Sequence, residues 1–225
     1  FERVYPAEGR TGDPCRQANC TSVPPKYKGE KVDTVKVYLP VFPGTNCDYD
    51  TARAFERAGA VTEIGVFCNL TSEAIFDSIK RMCEAIDNSH ILVLSGGFSL
   101  GDEPDGSGKF IAGVLNNADV TKSVHALLDR GGLILGICNG FQALVKSGLL
   151  PYGRLGMVTT ASPTLFHNDI PRHISQIVTT RVGTTASPWL SSFKVGELHS
   201  IAVSHGEGKF VVSPELAEEL FASGQ

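Results

Sequence analysis

Leu133-Ile134-Leu135-Gly136-Ile137-Cys138-Asn139-Gly140-Phe141-Gln142 runs an apolar stretch straight into Gly-x-Cys-x-Gly and on into a helix-forming segment. The uninterrupted apolar run reads as a strand buried in a parallel sheet. Glycines two positions either side of the cysteine let a strand and a helix cross closely at a sharp turn. The central residue is then strained and projects its side chain outward, as in a nucleophile elbow. The helix that begins just beyond directs free N–H groups and a positive dipole end at the sulfur, which favours thiolate over thiol. Cys138 is therefore the candidate nucleophile. The bland alternative, a buried structural thiol, is the common fate of free cysteines. It suits Cys15, Cys20, Cys47, Cys68 and Cys83, which lack that setting.

Outward from the elbow, strands alternate with helices. Val35–Phe42 is β-branched and aromatic and stops at Pro43-Gly44; Asp48–Ala58 has helical spacing and stops at Gly59. Val61–Phe67 reads as strand, and Ser72–Ile86 as helix with Thr71 as N-cap and Ile75, Ile79, Met82 and Ile86 on one face. Ile91–Ser95 is strand again, followed by a glycine-rich loop from Gly96 to Gly108, a segment Phe110–Leu115 and a helix Val120–Leu128. After Pro151 the pattern loosens into β segments at Gln176–Val182 and Leu198–Ser204 and a closing helix begun by Ser213-Pro214-Glu215. This alternation predicts an α/β fold: an open, mostly parallel sheet with helices on both faces and its site at the carboxyl ends of strands. Residues 1–34, with Pro6, Pro14, Pro24 and Pro25 and no apolar period, read as a linker or extended strap, and 35–225 as one domain. Phe1 rather than Met at the start, with no basic-then-apolar leader, points to a piece of a longer chain.

Composition narrows the function. The chain has 225 residues, 42% of them hydrophobic, and a net charge of −4 with pI near 5.9. No overall positive field is available to hold a nucleic acid, and no apolar run approaches the roughly 20 residues of a membrane helix. Six cysteines without a Cys-x-x-Cys pair read as reduced thiols in cytoplasm. The Asn-x-Thr patterns at Asn19 and Asn69 are then chance matches. Gly106-Ser107-Gly108-Lys109 fails as a P-loop, because Glu103 stands where the first glycine is needed and Phe110 where Ser or Thr would follow. Asp102, Glu103 and Asp105 read as solvated loop acids, so no metal site is expected. The glycine-rich strand end at Gly96-Gly97 offers unobstructed amides, and the N–H groups of Gly97 and Asn139 make a candidate oxyanion hole, where one donor is worth about 3 kcal/mol. A thiol nucleophile normally works with a histidine oriented by a carboxylate. Downstream of Cys138 stand His167, His173, His199 and His205; only His205-Gly206-Glu207 pairs His with Glu locally, while His90, His125, His167 and His173 read as satisfied residues.

Four blocks, in order, carry a resemblance: Pro43-Gly44-Thr45-Asn46-Cys47-Asp48, Gly96-Gly97-Phe98-Ser99-Leu100-Gly101-Asp102, Gly136–Gln142 and Ser204-His205-Gly206-Glu207-Gly208. From about Val35 to its end the chain resembles the class I glutamine amidotransferase domain of phosphoribosylformylglycinamidine (FGAM) synthases in their long single-chain form. Glu103–Phe110 looks like a bacterial subgroup. The resemblance implies a flavodoxin-like fold in which Cys138 attacks the side-chain amide of L-glutamine, forms a γ-glutamyl thioester and releases ammonia. Gly97 and Asn139 would form the oxyanion hole, Gln142 would border the glutamine, and backbone around Ser204 and Gly206 would hold its amino-acid end. Ammonia would pass to a synthetase domain of the same long chain, where ATP and Mg belong; the amidotransferase domain needs no cofactor. The family's catalytic pair lies in a His-Pro-Glu motif, which does not occur before Gln225. The domain is therefore expected to be truncated at its C-terminus. His205 and Glu207 imitate the spacing of an acid/base pair, although the resemblance assigns their segment to the glutamine pocket. Two alternatives stay open: a docking domain without turnover that supports the synthetase, and a stand-alone thiol hydrolase or deglycase.

Overall fold

The computed structural model of the chain describes residues 31–102 and 106–225. Most of the expected strap, with Cys15 and Cys20, and the loop acids Glu103 and Asp105 lie outside the described residues. Two compact units emerge. Among the described residues, the first comprises 31–102, 106–176 and 203–213 and contains Cys138 and the residues expected to surround it; the second comprises 177–202 and 214–225.

In the first unit β1 (Lys36–Val41), α1 (Asp48–Arg57), β2 (Val61–Val66), α2 (Ser72–Asp87), β3 (Ile91–Leu94), α3 (Lys109–Leu115), α4 (Ala118–Asp129), β4 (Leu133–Gly136) and α5 (Asn139–Lys146) follow in sequence. The sheet order is β2-β1-β3-β4 and all three pairings are parallel, with Tyr38 opposite Leu92 and Leu94 opposite Gly136. Right-handed crossovers send α1 to one face, because β1 leads outward to β2, and α2 to the other, because β2 leads back across β1 to β3. Connections from β1 and β3 thus leave in opposite directions, and the crevice outside their carboxyl ends is where such sheets place a site.

Tyr38, Leu92 and Leu94 pack in one core with Met82 and Ile86 of α2, Val120, Val124 and Leu127 of α4, and Ala143 and Leu144 of α5. The alternate residues Val37, Leu39, Ile91 and Val93 are buried on the opposite face, so β1 and β3 are covered on both sides, as the alternation predicts. Thr71 caps α2 as expected: its hydroxyl accepts a hydrogen bond from Ala74 N–H at 3.1 Å.

β4 departs from the expectation of a fully buried strand. It ends the sheet order and all four of its residues are half-buried; its apolar content matches the helix that returns over it rather than two strand neighbours. Also unforeseen are a short helical segment α6 (Leu149–Tyr152) and the antiparallel pair β5 (Thr164–Phe166) and β8 (Lys209–Val211). Three-residue strands are too short to show alternation. β6 (Ile174–Arg181) pairs with β7 (Leu198–His205). The second unit takes in β6 from Ile177, β7 up to Ala202, a 3₁₀ turn at Pro188–Leu190 and a terminal helix α7 (Pro214–Ser223). Among the described residues no helix is long and apolar enough to cross a membrane.

Candidate active site

Cys138 is the one non-glycine residue with positive φ among the described residues, at φ 51° and ψ −107°. Such strain persists only where the surroundings over-determine it, and the two flanking glycines supply that. A Cβ at Gly140 would sit 2.1 Å from the Leu94 carbonyl oxygen, and one at Gly136 would sit 2.8 Å from Gly140 backbone and 2.6 Å from Leu144. Strand and helix therefore touch backbone to backbone, which forces the turn and pushes the thiol out. Cys138 is exposed and stands at the N-cap of α5, where the first helical amides have no intrahelical acceptor. Its Sγ lies 3.9 Å from the Ser204 carbonyl, to which the thiol donates.

At the end of β3, Gly96 lies against Cys138: a Cβ there would be 3.4 Å from Cys138 Cβ. Gly97, at φ 113°, bridges to Thr45, and a Cβ on it would collide with Asn46 Oδ1. The loop after β1 thus closes over the glycine loop, and Leu100 N–H donates to Pro43 C=O at 2.9 Å. This puts Cys47 within electrostatic range of Cys138: burial pushes the Cys47 thiol up, and the charges of Cys138, Asp50 and Asp48 add to the rise. Two cavities, of about 560 and 430 Å³, lie elsewhere; neither is lined by Cys138.

Asp102 is not the solvated loop acid expected from its acidic neighbours; it is buried. Its Oδ2 accepts from Ser99 N–H at 2.7 Å and Asn139 Nδ2 at 3.0 Å, and its Oδ1 from Ser99 Oγ at 2.6 Å and Gly108 N–H at 3.0 Å. Four donors satisfy a carboxylate that would otherwise be costly to bury.

Opposite the elbow, the turn at 204–208 is held by Asn168. Its Oδ1 accepts from Gly208 N–H at 3.1 Å and faces His205 Nδ1 at 2.9 Å, while Nδ2 donates to the carbonyls of His205 and Arg172, both at 3.0 Å. Because Gly208 N–H can only donate and carbonyls can only accept, the amide orientation is fixed, and His205 Nδ1 must carry the proton. Asn168 N–H also donates to Gly206 C=O at 3.0 Å. Gln142 Nε2 donates to Glu207 C=O at 2.8 Å, so α5 grips the same turn.

His205 and Glu207 are not brought together as a pair. His205 is tied to Asn168, whereas Glu207 Oε2 accepts from Ser107 N–H at 2.8 Å and its Oε1 lies 3.8 Å from His167 Nδ1. His173, read from sequence as merely satisfied, reaches the site's edge: its Nε2 is 2.8 Å from Ser204 Oγ. Asn168 and His173 carried no sequence signal. Asp102 carried a faint one, since Ser99-x-x-Asp102 is the spacing of a tight turn with a side-chain acceptor.

A strained, exposed thiol at the end of a parallel strand, beside a glycine loop with amides to spare and facing a clasped turn, is an arrangement that can support thiol-dependent acyl transfer on an α/β sheet. Residues 34–225 match the family described as CobB/CobQ-like glutamine amidotransferase domain. The chain belongs to that glutamine amidotransferase family. It is similar to phosphoribosylformylglycinamidine synthase subunit PurQ of Roseobacter denitrificans, at 33% identity over 80% of this chain and 68% of that protein. It is also similar to the proteins of that name from Campylobacter jejuni, at 33% over 83% and 70%, and Pyrobaculum aerophilum, at 36% over 80% and 71%. Among solved structures it resembles a chain of PurLQS from Thermotoga maritima, with TM-score 0.60 and 26% identity over 81% of this chain and 71% of that one.

Proposed function

We propose that this chain is the glutaminase of a phosphoribosylformylglycinamidine synthase, supplying ammonia to an ATP-dependent synthetase in cytoplasmic purine biosynthesis. The observation that carries the reading is the strained, solvent-facing Cys138 at the helix N-cap. The sulfur attacks the side-chain carbonyl carbon of glutamine, and the π electrons move to the amide oxygen, toward the N–H groups of Gly97 and Asn139. Collapse expels ammonia, whose third hydrogen derives from the thiol, and leaves a γ-glutamyl thioester that water converts to glutamate. This chemistry needs no metal or cofactor in the domain. Gln142, Ser204 and Gly206 line the glutamine. His205 and Glu207 serve this wall rather than proton transfer, since each side chain is already engaged with a different neighbour.

The relatives named as subunits support the partner as a synthetase. Four motif blocks and the Glu103–Phe110 loop favour its lying on the same long chain. The test is reconstitution with synthetase, formylglycinamide ribonucleotide and ATP. Carried within its full-length synthase, the unmodified domain is expected to support amidine formation from glutamine. Cys138→Ala is expected to support it only when an ammonium salt replaces glutamine. Full glutamine-dependent activity in Cys138→Ala refutes the reading.

A further inference from the structure

The hydrogen bonds of Asp102 continue into a closed ring. Asn139 Nδ2, which donates to Asp102, also faces Gln142 Oε1 at 3.5 Å; Gln142 Nε2 donates to the Glu207 carbonyl at 2.8 Å; and the Glu207 carboxylate accepts from Ser107 N–H at 2.8 Å. Gly108 N–H, next in the chain, returns to Asp102 Oδ1 at 3.0 Å. The ring joins the loop after β3, the first turn of α5 and the 204–208 turn. Both amides assigned to the oxyanion hole sit on parts that Asp102 joins by hydrogen bonds: Gly97 on the loop, which Asp102 braces through Ser99 N–H and Oγ, and Asn139 on the helix. A donor must stand about 3 Å from the position the developing oxyanion will take, and such placement needs the supporting shell locked to within about 0.5 Å.

We infer that Asp102 is a positioning residue that sets the distance between the two oxyanion donors, using its charge and four lone pairs as the common anchor. The inference rests on the glutaminase reading. An amide at 102 has the right size but the wrong polarity. Whichever way it turns, its NH₂ confronts a fixed N–H donor, Gly108 N–H on one side or Ser99 N–H on the other.

The test compares two reagents on Cys138. A chloroketone analogue of glutamine reacts through a tetrahedral adduct whose carbonyl oxygen becomes negative before chloride leaves. Iodoacetamide reacts by displacement at a saturated carbon and develops no oxyanion. With Asp102→Asn the chloroketone rate is expected to fall on the order of tenfold to a hundredfold, and the iodoacetamide rate to stay within about twofold. Equal losses with both reagents, or no loss with either, overturn the inference. If Asp102→Asn does not fold, Ser99→Ala removes one bracing donor and keeps the charge. It is expected to show a smaller loss with the same selectivity for the chloroketone, and an unselective change overturns the inference. Failure of the unmodified protein to react with the chloroketone at Cys138 refutes the glutaminase reading itself. Normal reaction there combined with an unchanged Asp102→Asn refutes only the role of Asp102.

Discussion

The elbow at 136–142 and the turn at 204–208 face each other across the thiol, but they are built by different means. The elbow is shaped by main chain: Gly140 lies so close to the Leu94 carbonyl, and Gly136 to Gly140, that no side chain fits, and Cys138 is left in a conformation that a cysteine rarely adopts. The turn is shaped by side chains that reach in from elsewhere, chiefly Asn168 and Gln142. Glycine spacing shows the first kind of construction in the sequence. Nothing marks an ordinary asparagine as the hub of the second.

The elbow is the more sensitive of the two to substitution. Gly140→Ala would place a methyl group 2.1 Å from a backbone oxygen that cannot move aside. The expected cost is about 3 kcal/mol or more, read as a large fall in unfolding temperature together with loss of preferential alkylation at Cys138. An unchanged unfolding temperature would mean that the two segments are not in contact. At the turn, Asn168→Ala leaves the Gly208 N–H and two carbonyls without their partner, for about 2 kcal/mol. Its signature differs in kind: concentration dependence for a glutamine analogue shifts to much weaker binding, while iodoacetamide still reacts with Cys138 at its original rate. Equal damage to both reactions would erase the distinction between the two halves. Thr71→Ala, at the cap of α2 and remote from both, is expected to cost about 1 kcal/mol and to leave both labelling reactions alone.

The smallest effect concerns pH. Cys47, raised by burial and by the charge of Cys138, stays protonated at neutral pH and should lag behind Cys138 in alkylation, catching up only as pH rises above the ordinary thiol range. Because its folded-state value is raised, any stabilisation linked to it is present at low pH and lost as pH climbs past that value. Mass-spectrometric rates at each cysteine across the alkaline range check this, and faster labelling of Cys47 at neutral pH would contradict it.

Wherever a rule concerns one element and its immediate neighbours, the sequence was sufficient. The apolar face of α2, the Thr71 cap and the Gly-x-Cys-x-Gly elbow all lie where periodicity, capping and glycine placement put them. What escaped depends on partners far apart in the chain. The bond that ties Asp102 to α5 comes from Asn139, and the tautomer of His205 from Asn168, each 37 positions away. The separation of His205 from Glu207 has the same origin: each is claimed by a distant partner, one by Asn168 and the other by Ser107. Edge placement of β4 escaped for a related reason, since an apolar run does not say whether a second strand lies beyond it.

The central claim is that glutamine acylates the sulfur of Cys138. The most direct measurement is to incubate the protein with a diazo-ketone glutamine analogue, digest it, and locate the modified residue by mass spectrometry with Cys138→Ala alongside. One adduct is expected, on Cys138, slowed by excess glutamine and absent from the variant. An adduct on Cys47, Cys68 or Cys83 instead, or none at all, would contradict it.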